Sequence, residues 1–171
     1  MCFRKTIYEG QSLNLCIAEW DIITYKLLKK RYPYVSMAWQ TPYQYERVYF
    51  ENGIAVQEQK VLEGWIQDWS LMYCEGETEP HKICNFIDGE RDKHNLLEIY
   101  QGIHSCDTYS KATQQSWELP NERANVFLCV IPKGARYLQE DFDGNYVSDK
   151  LIIFENNEAY ERYKKSSSTV G

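Results

Sequence analysis

Apolar and polar positions alternate most regularly between residues 126 and 154. Three runs stand out there: VFLCVI (126–131), ARYLQE (135–140) and YVSDKLIIF (146–154). A period of two with β-branched and aromatic side chains predicts half-buried strands. Pro132-Lys133-Gly134 and Asp143-Gly144 separate the runs, and both read as turns, so the segment is a β-meander. The same pattern predicts strands at 13–18, 22–28, 34–39 and 43–50, with Asp21 at a turn. Asn52-Gly53 is a hairpin signal, and GIAVQEQ continues beyond it. In WIQDWSLMYC (65–74), Trp65, Trp69 and Met72 keep helical spacing, while Trp65, Gln67, Trp69 and Leu71 keep strand spacing. The strand is the reading adopted. Further strands are expected at 81–88 and 96–106, with Gly102 a bulge.

Two helices complete the pattern. Asp107 reads as the N-cap of a helix over about 107–117, closed by Leu119-Pro120-Asn121. Asn156 or Asn157 caps a second over about 156–165, where Lys164 and Lys165 suit the negative end of the helix dipole. The fold class is therefore α+β and β-rich: a curled antiparallel sheet of about eight short strands with two short helices across one face. Residues 1–171 form a single domain, 51–95 read as an acidic insertion, and 166–171 as a flexible tail.

Charge refines this picture. The net charge is −6. Residues 46–98 hold twelve acids and five bases, or −7, which leaves about +1 for the rest. That balance disfavours binding a nucleic-acid backbone, which rewards Lys and Arg. The six cysteines contain no C-x-x-C pair, and MCFRKTIYEG has no secretory apolar stretch. No run approaches the ~18 apolar residues of a membrane span. The expectation is a cytoplasmic protein with free thiols, no membrane contact and no metal or cofactor.

Lys133-Gly134 lacks the earlier glycine and the following helix of a phosphate loop. Asp141, Asp143 and Asn145 match three calcium-loop positions, but Tyr146 stands where the turn glycine belongs and Ile152 where the bidentate Glu belongs. His81, Cys84 and Cys74 are three soft ligands where zinc takes four. His104 and Cys106 share a strand face without an orienting third group, and His104 is the one catalytic candidate. Tyr32, Tyr34, Trp39, Tyr43 and Tyr45 cluster around Thr41-Pro42; such rings can stack a base. Arg47, Lys133 and Arg136 are candidate phosphate contacts. The candidate binding set is thus Trp39, Tyr43, Tyr45, Arg47, His104, Lys133 and Arg136.

The succession Thr41-Pro42-Tyr43-Gln44-Tyr45, Gly102-Ile103-His104-Ser105-Cys106, Cys129-Val130-Ile131-Pro132-Lys133-Gly134-Ala135-Arg136-Tyr137 and Ser148-Asp149-Lys150-Leu151-Ile152-Ile153 resembles a family of small bacteriophage and gut Bacteroidetes proteins. The likeness covers about residues 20–155 and brings no activity with it. It implies a phage or mobile-element accessory protein in the host cytoplasm. Such a protein would bind a host protein, as in counter-defence, or sequester a small nucleotide-like ligand. An ADP-ribosyltransferase-like enzyme using His104 is the catalytic alternative, although the late Glu140 lies in a turn. A virion-associated structural protein is the third reading.

Overall fold

The structure, a computed structural model, describes residues 3–8, 16–30, 39–42, 46–59, 81–88, 92–99, 102–115, 123–140 and 144–168. Among these residues the elements run β1 (Phe3–Tyr8), β2 (Cys16–Ile17), β3 (Ile22–Lys30), β4 (Trp39–Gln40), β5 (Arg47–Val48), β6 (Ile54–Glu58), β7 (His81–Asp88), β8 (Asp92–Ile99), β9 (Ile103–Ser105), α1 (Tyr109–Gln114), β10 (Arg123–Ile131), β11 (Arg136–Gln139), β12 (Tyr146–Ser148), β13 (Lys150–Phe154) and α2 (Asn157–Ser168). The protein is α+β and β-rich, with every strand pair antiparallel.

The strands form a six-stranded sheet in the order β5-β4-β3-β10-β13-β6 and a four-stranded sheet in the order β2-β11-β12-β9. A third ladder has the order β1-β8-β7. The long central pair is β3 with β10, in register from Ile22↔Ile131 to Lys30↔Arg123. Alternation then sorts its residues by face. Leu28, Phe127, Cys129 and Ile131 join Leu151, Ile153 and Ala55 in one buried cluster. Ile103 of β9 belongs to it, with Tyr137 and Tyr146 from β11 and β12 packed alongside. The core therefore lies between the six-stranded and four-stranded sheets. On the opposite face Val130, Ile152 and Phe154 pack against Ala159, Tyr160 and Tyr163 of α2.

The expected 126–154 meander is divided between the sheets: the chain leaves the six-stranded sheet after β10, pairs β11 with β12 in the four-stranded sheet and returns at β13. Besides the β2–β3 and β10–β11 connections, two further features join the sheets. The run 146–154, expected as one strand, breaks at Asp149. The Asp149 amide donates to Arg136 O (3.0 Å), its Oδ1 accepts from the Arg136 amide (3.0 Å), and its carbonyl accepts from the Gln59 amide (2.8 Å). With these partners Asp149 turns the chain from one sheet into the other, as strands at sandwich corners do. At the second junction, Tyr25 of β3 and Cys106 beyond β9 form an isolated bridge with hydrogen bonds of 2.8 and 2.7 Å.

Several boundaries differ from expectation for identifiable reasons. The N-cap of α1 is Thr108, whose Oγ1 accepts from the Lys111 amide at 3.2 Å. Asp107 is instead held in an ion pair with Lys111 Nζ at 2.8 Å. α2 is capped by Asn156 through the Ala159 amide (2.9 Å). It runs to Ser168, into the segment read as a tail. Ser166 and Ser167 fit because their hydroxyls donate to Tyr163 O and Lys164 O. The expected 96–106 strand divides at Gly102 (φ 89°) into β8 and β9. β1 was missed because FRKTIY lacks a clean alternation. Inside the segment 51–95, β6 pairs with β13 over five positions and forms a sheet edge. The 65–74 segment, and the strand expected at 34–39 apart from Trp39, lie outside the described residues.

Asp21 ties the β10–β11 corner to α2. Its Oδ1 accepts from the Lys133 amide (2.9 Å) and its Oδ2 from the Tyr163 hydroxyl (2.9 Å). Asp21→Ala is expected to cost about 2 kcal/mol, the scale for hydrogen bonds to a charged acceptor. Urea unfolding measures the loss, and hydrogen exchange should show faster exchange in α2. The two meander glycines differ in surroundings. Gly134 (φ 91°) has no atom within 4 Å of where a Cβ would sit, whereas a Cβ on Gly144 (φ 71°) would lie 2.8 Å from Asp107 Cγ. Gly134→Ala should cost about 1 kcal/mol from backbone strain alone. Gly144→Ala should cost clearly more in the same denaturation experiment, and equal losses would contradict the packing described.

Candidate functional site

The candidate site is a cleft on the outer face of the six-stranded sheet. β10 is apolar on both faces over 126–131, with Phe127, Cys129 and Ile131 on one and Val126, Leu128 and Val130 on the other, as strands covered on each side are. α2 covers the half of the outer face nearest β13 and β6, and α1 stands over β3 and β10. Between the helices lies a cleft of about 460 Å³, within the roughly 300–1,000 Å³ range of small-molecule sites. Its floor is Leu27 of β3 with Val126 and Leu128 of β10; Tyr109 and Thr113 of α1 form one wall. Phe154, Glu155, Asn156 and Asn157, at the junction of β13 and α2, form the other.

Each wall is fixed locally. The Tyr109 ring meets Tyr25 edge-on, with centroids 6.0 Å apart at 89°. Tyr109 is nonetheless 59% exposed, so an aromatic surface remains open at the lip. Thr113 Oγ1 donates to Tyr109 O (2.9 Å), which holds the α1 turn. Across the cleft Phe154 is clamped by Tyr160 and Tyr163, at 5.2 Å each. The arrangement can hold a flat, largely apolar group against a rigid sheet. Its polar rim carries the carboxylate of Glu155 and no cation among the described lining residues.

The described residues among those proposed from sequence do not line this cleft. Trp39 packs on Phe127 (5.1 Å, 76°), and Lys30 Nζ lies 4.6 Å from its ring centroid. Arg47 is exposed on the neighbouring edge strand, beside Gln40. Tyr43 and Tyr45, with Tyr32 and Tyr34, lie outside the described residues. Lys133 and Arg136 sit at the other end of β3, where Asp21 binds the Lys133 amide. Eight residues of strand separate that end from Lys29, the partner of Gln40, a distance of about 26 Å. Trp39 and Arg47 are thus neighbours, whereas Lys133 and Arg136 are remote from them.

His104 lies on β9, half-buried and opposite Val147. Its carbonyl accepts from Lys26 Nζ at 2.6 Å. Cys106 is 2% exposed, and Gln115 Nε2 donates to its sulfur (3.3 Å). Burial, only partly offset by the Lys26 charge, pushes this thiol up to about 11. A protonated thiol is a poor nucleophile, so a Cys-His pair has no support here. The turn at Lys133 is closed by the Ala135 amide on Pro132 O (3.0 Å). Asp141 and Asp143 lie outside the described residues, and no metal-ligating group is found among those described. No helix among them is long and apolar enough to cross a membrane.

Comparison with protein-family models, with curated proteins and with solved structures finds no match to this chain. The cleft is thus read from its own geometry. Sequence reasoning passed over Tyr25, Tyr109 and Leu128 because alternation was used to find one buried face per strand. The signal was available: VFLCVI is apolar on both faces, and two short helices leave part of a sheet face open.

Burial makes stability depend on alkaline pH with a defined sign. Burial raises Cys129 from 9.0 to about 12 and Cys106 from 9.0 to about 11. Burial, followed by the hydrogen bond to Asp21, raises Tyr163 from 10.0 to about 12. Each group holds its proton more tightly folded than unfolded, so stability is intact below pH 9 and falls as pH rises through 9 to 12. Denaturation at pH 8, 9.5 and 11 should show the decline, shallower in Cys129→Ala. Mapping of thiol alkylation at pH 8 by mass spectrometry should show exposed Cys16 modified well before Cys106 and Cys129.

Proposed function

We propose that the protein is a binding module that holds a small, flat ligand of the nucleobase or nucleoside kind in the cleft between α1 and α2. The observation that carries this reading is the apolar floor of Leu27, Val126 and Leu128 beneath the exposed Tyr109 ring. Aromatic stacking on such a ring is worth about 1–3 kcal/mol per base. The acidic rim argues for the base end of a nucleotide-like ligand and against its phosphates. The setting is the one implied by the resemblance: a phage or mobile-element accessory protein in the host cytoplasm, which would act by sequestering such a ligand.

The test is a titration of nucleobases, nucleosides and nucleotides followed by NMR of the α1 and β10 amides. Shifts at Tyr109, Thr113 and Leu128 are expected. Tyr109→Ala should weaken binding about tenfold, in line with the loss of one stacking partner. Because that side chain is largely exposed, the thermal midpoint should barely move. Absence of shifts at these residues with every compound, or tight binding that is indifferent to Tyr109→Ala, would overturn the proposal. Tighter binding of a nucleotide than of its nucleoside would refute the role given to the acidic rim.

A further inference from the structure

The inner face of β3 carries a lysine in an unusual position. Lys26 is 6% exposed and lies across the strand pair from Phe127, within the layer that holds the core. Among the described residues its ammonium donates to one carbonyl, His104 O at 2.6 Å, and has no ion-pair partner. Glu46 acts on it only from a distance. That carboxylate accepts at the surface from Gln59 Nε2 (2.9 Å) and Gln57 Nε2 (3.5 Å). A buried ammonium has three protons to place and a charge to balance, and one neutral carbonyl meets only a third of the first need.

Two hydroxyls beside Lys26 are also unmet. Thr24 is two residues before it on the same face of β3 and is fully buried. The Tyr25↔Cys106 bridge places Ser105 opposite Lys26 across the β3–β9 junction, and Ser105 shares the inward face of Ile103. Ser105 is 4% exposed, and among the described residues no group hydrogen-bonds its Oγ or Thr24 Oγ1. Such orphaned buried hydroxyls are uncommon in folded proteins.

We propose that Lys26, Thr24 and Ser105 form an internal site for a single monovalent anion of halide size, seated between the two sheets at the β3–β9 junction. Two ammonium protons and two hydroxyl protons supply the donors, and the anion supplies the missing counter-charge. A water molecule could take the hydrogen bonds but would leave the charge unbalanced. A site buried between two sheets favours a small, weakly hydrated ion over a phosphate or carboxylate. Burial lowers the lysine's proton affinity, and a bound anion would offset that effect. The site is separate from the cleft, since Thr24 and Lys26 point to the opposite face of β3 from Leu27.

Bromide is the probe. Crystals grown in sodium bromide should show an anomalous peak within hydrogen-bonding reach of Lys26 Nζ, Thr24 Oγ1 and Ser105 Oγ. In solution, the wild type should melt a few degrees higher in sodium bromide than in sodium gluconate at equal ionic strength, because ligand binding to the folded state raises its stability. Gluconate is too large to enter. Lys26→Met, which keeps the length of the side chain, should lose both the peak and the bromide-specific shift. Thr24→Val and Ser105→Ala should each reduce them, which keeps the test decisive should Lys26→Met not fold. A water at the position instead of bromide, an equal salt response in Lys26→Met, or an unchanged response in both hydroxyl variants would overturn the proposal.

Discussion

The two sheets meet along β3, and the meeting is held by very little backbone pairing. β3 keeps nine register positions with β10 on one side. On the other it contacts β9 through the single bridge at Tyr25 and Cys106. One position along β3, the Lys26 ammonium bonds the His104 carbonyl, so a side chain provides a donor beside the bridge. The core between the sheets, from Leu28 and Cys129 to Ile103, depends on this junction for its spacing. At the far end the Asp149 bend makes the second connection, with three hydrogen bonds gathered on one residue. The β2–β3 and β10–β11 connections also pass between the sheets, and Cys106 and Cys129 are buried free thiols.

Much of this organisation could be read from the sequence. The strand runs between 126 and 154, the β3 strand, the Asn52-Gly53 turn and both helices follow from alternation, turn residues and caps, but the expected meander does not, because β10 and β13 pair in one sheet while β11 and β12 pair in the other. Asn52 (φ 54°) and Gly53 (φ 80°) have the backbone that a primed hairpin turn requires. Gly134 and Gly144 likewise serve the fold-back of the chain. The sequence could not show that Asp149 would break a continuous alternating run, because the break comes from hydrogen bonds to Arg136 and Gln59 from other strands. It could not choose Thr108 over Asp107 as a cap, since Asp107 is claimed by Lys111 and lies against Gly144.

The candidate site was less legible than the fold. Local density of tyrosines pointed to the stretch around Thr41-Pro42, yet Trp39 there is engaged with Phe127 and Lys30. The aromatic at the lip of the cleft is Tyr109, a single ring whose importance comes from the half-covered strands beneath it. Lys133 and Arg136 illustrate the same limit. They were candidate phosphate contacts beside the aromatic stretch, while the fold places them at the opposite end of β3 from Trp39 and gives the Lys133 amide to the protein's own Asp21. Proximity across strands, rather than composition within a segment, decides both cases.

The cleft floor and the core share the same backbone. Leu27 faces the cleft while its neighbours Lys26 and Leu28 face the interior, and Val126 and Leu128 stand in the same relation to Phe127 and Cys129. A change that reshapes the floor therefore tilts strands whose reverse side holds the two sheets apart. Diversification of ligand preference is easiest from the walls, at Tyr109, Thr113 or Asn157, where a substitution leaves the sheet undisturbed. Across variants of this protein, the walls should drift while the floor stays nearly constant.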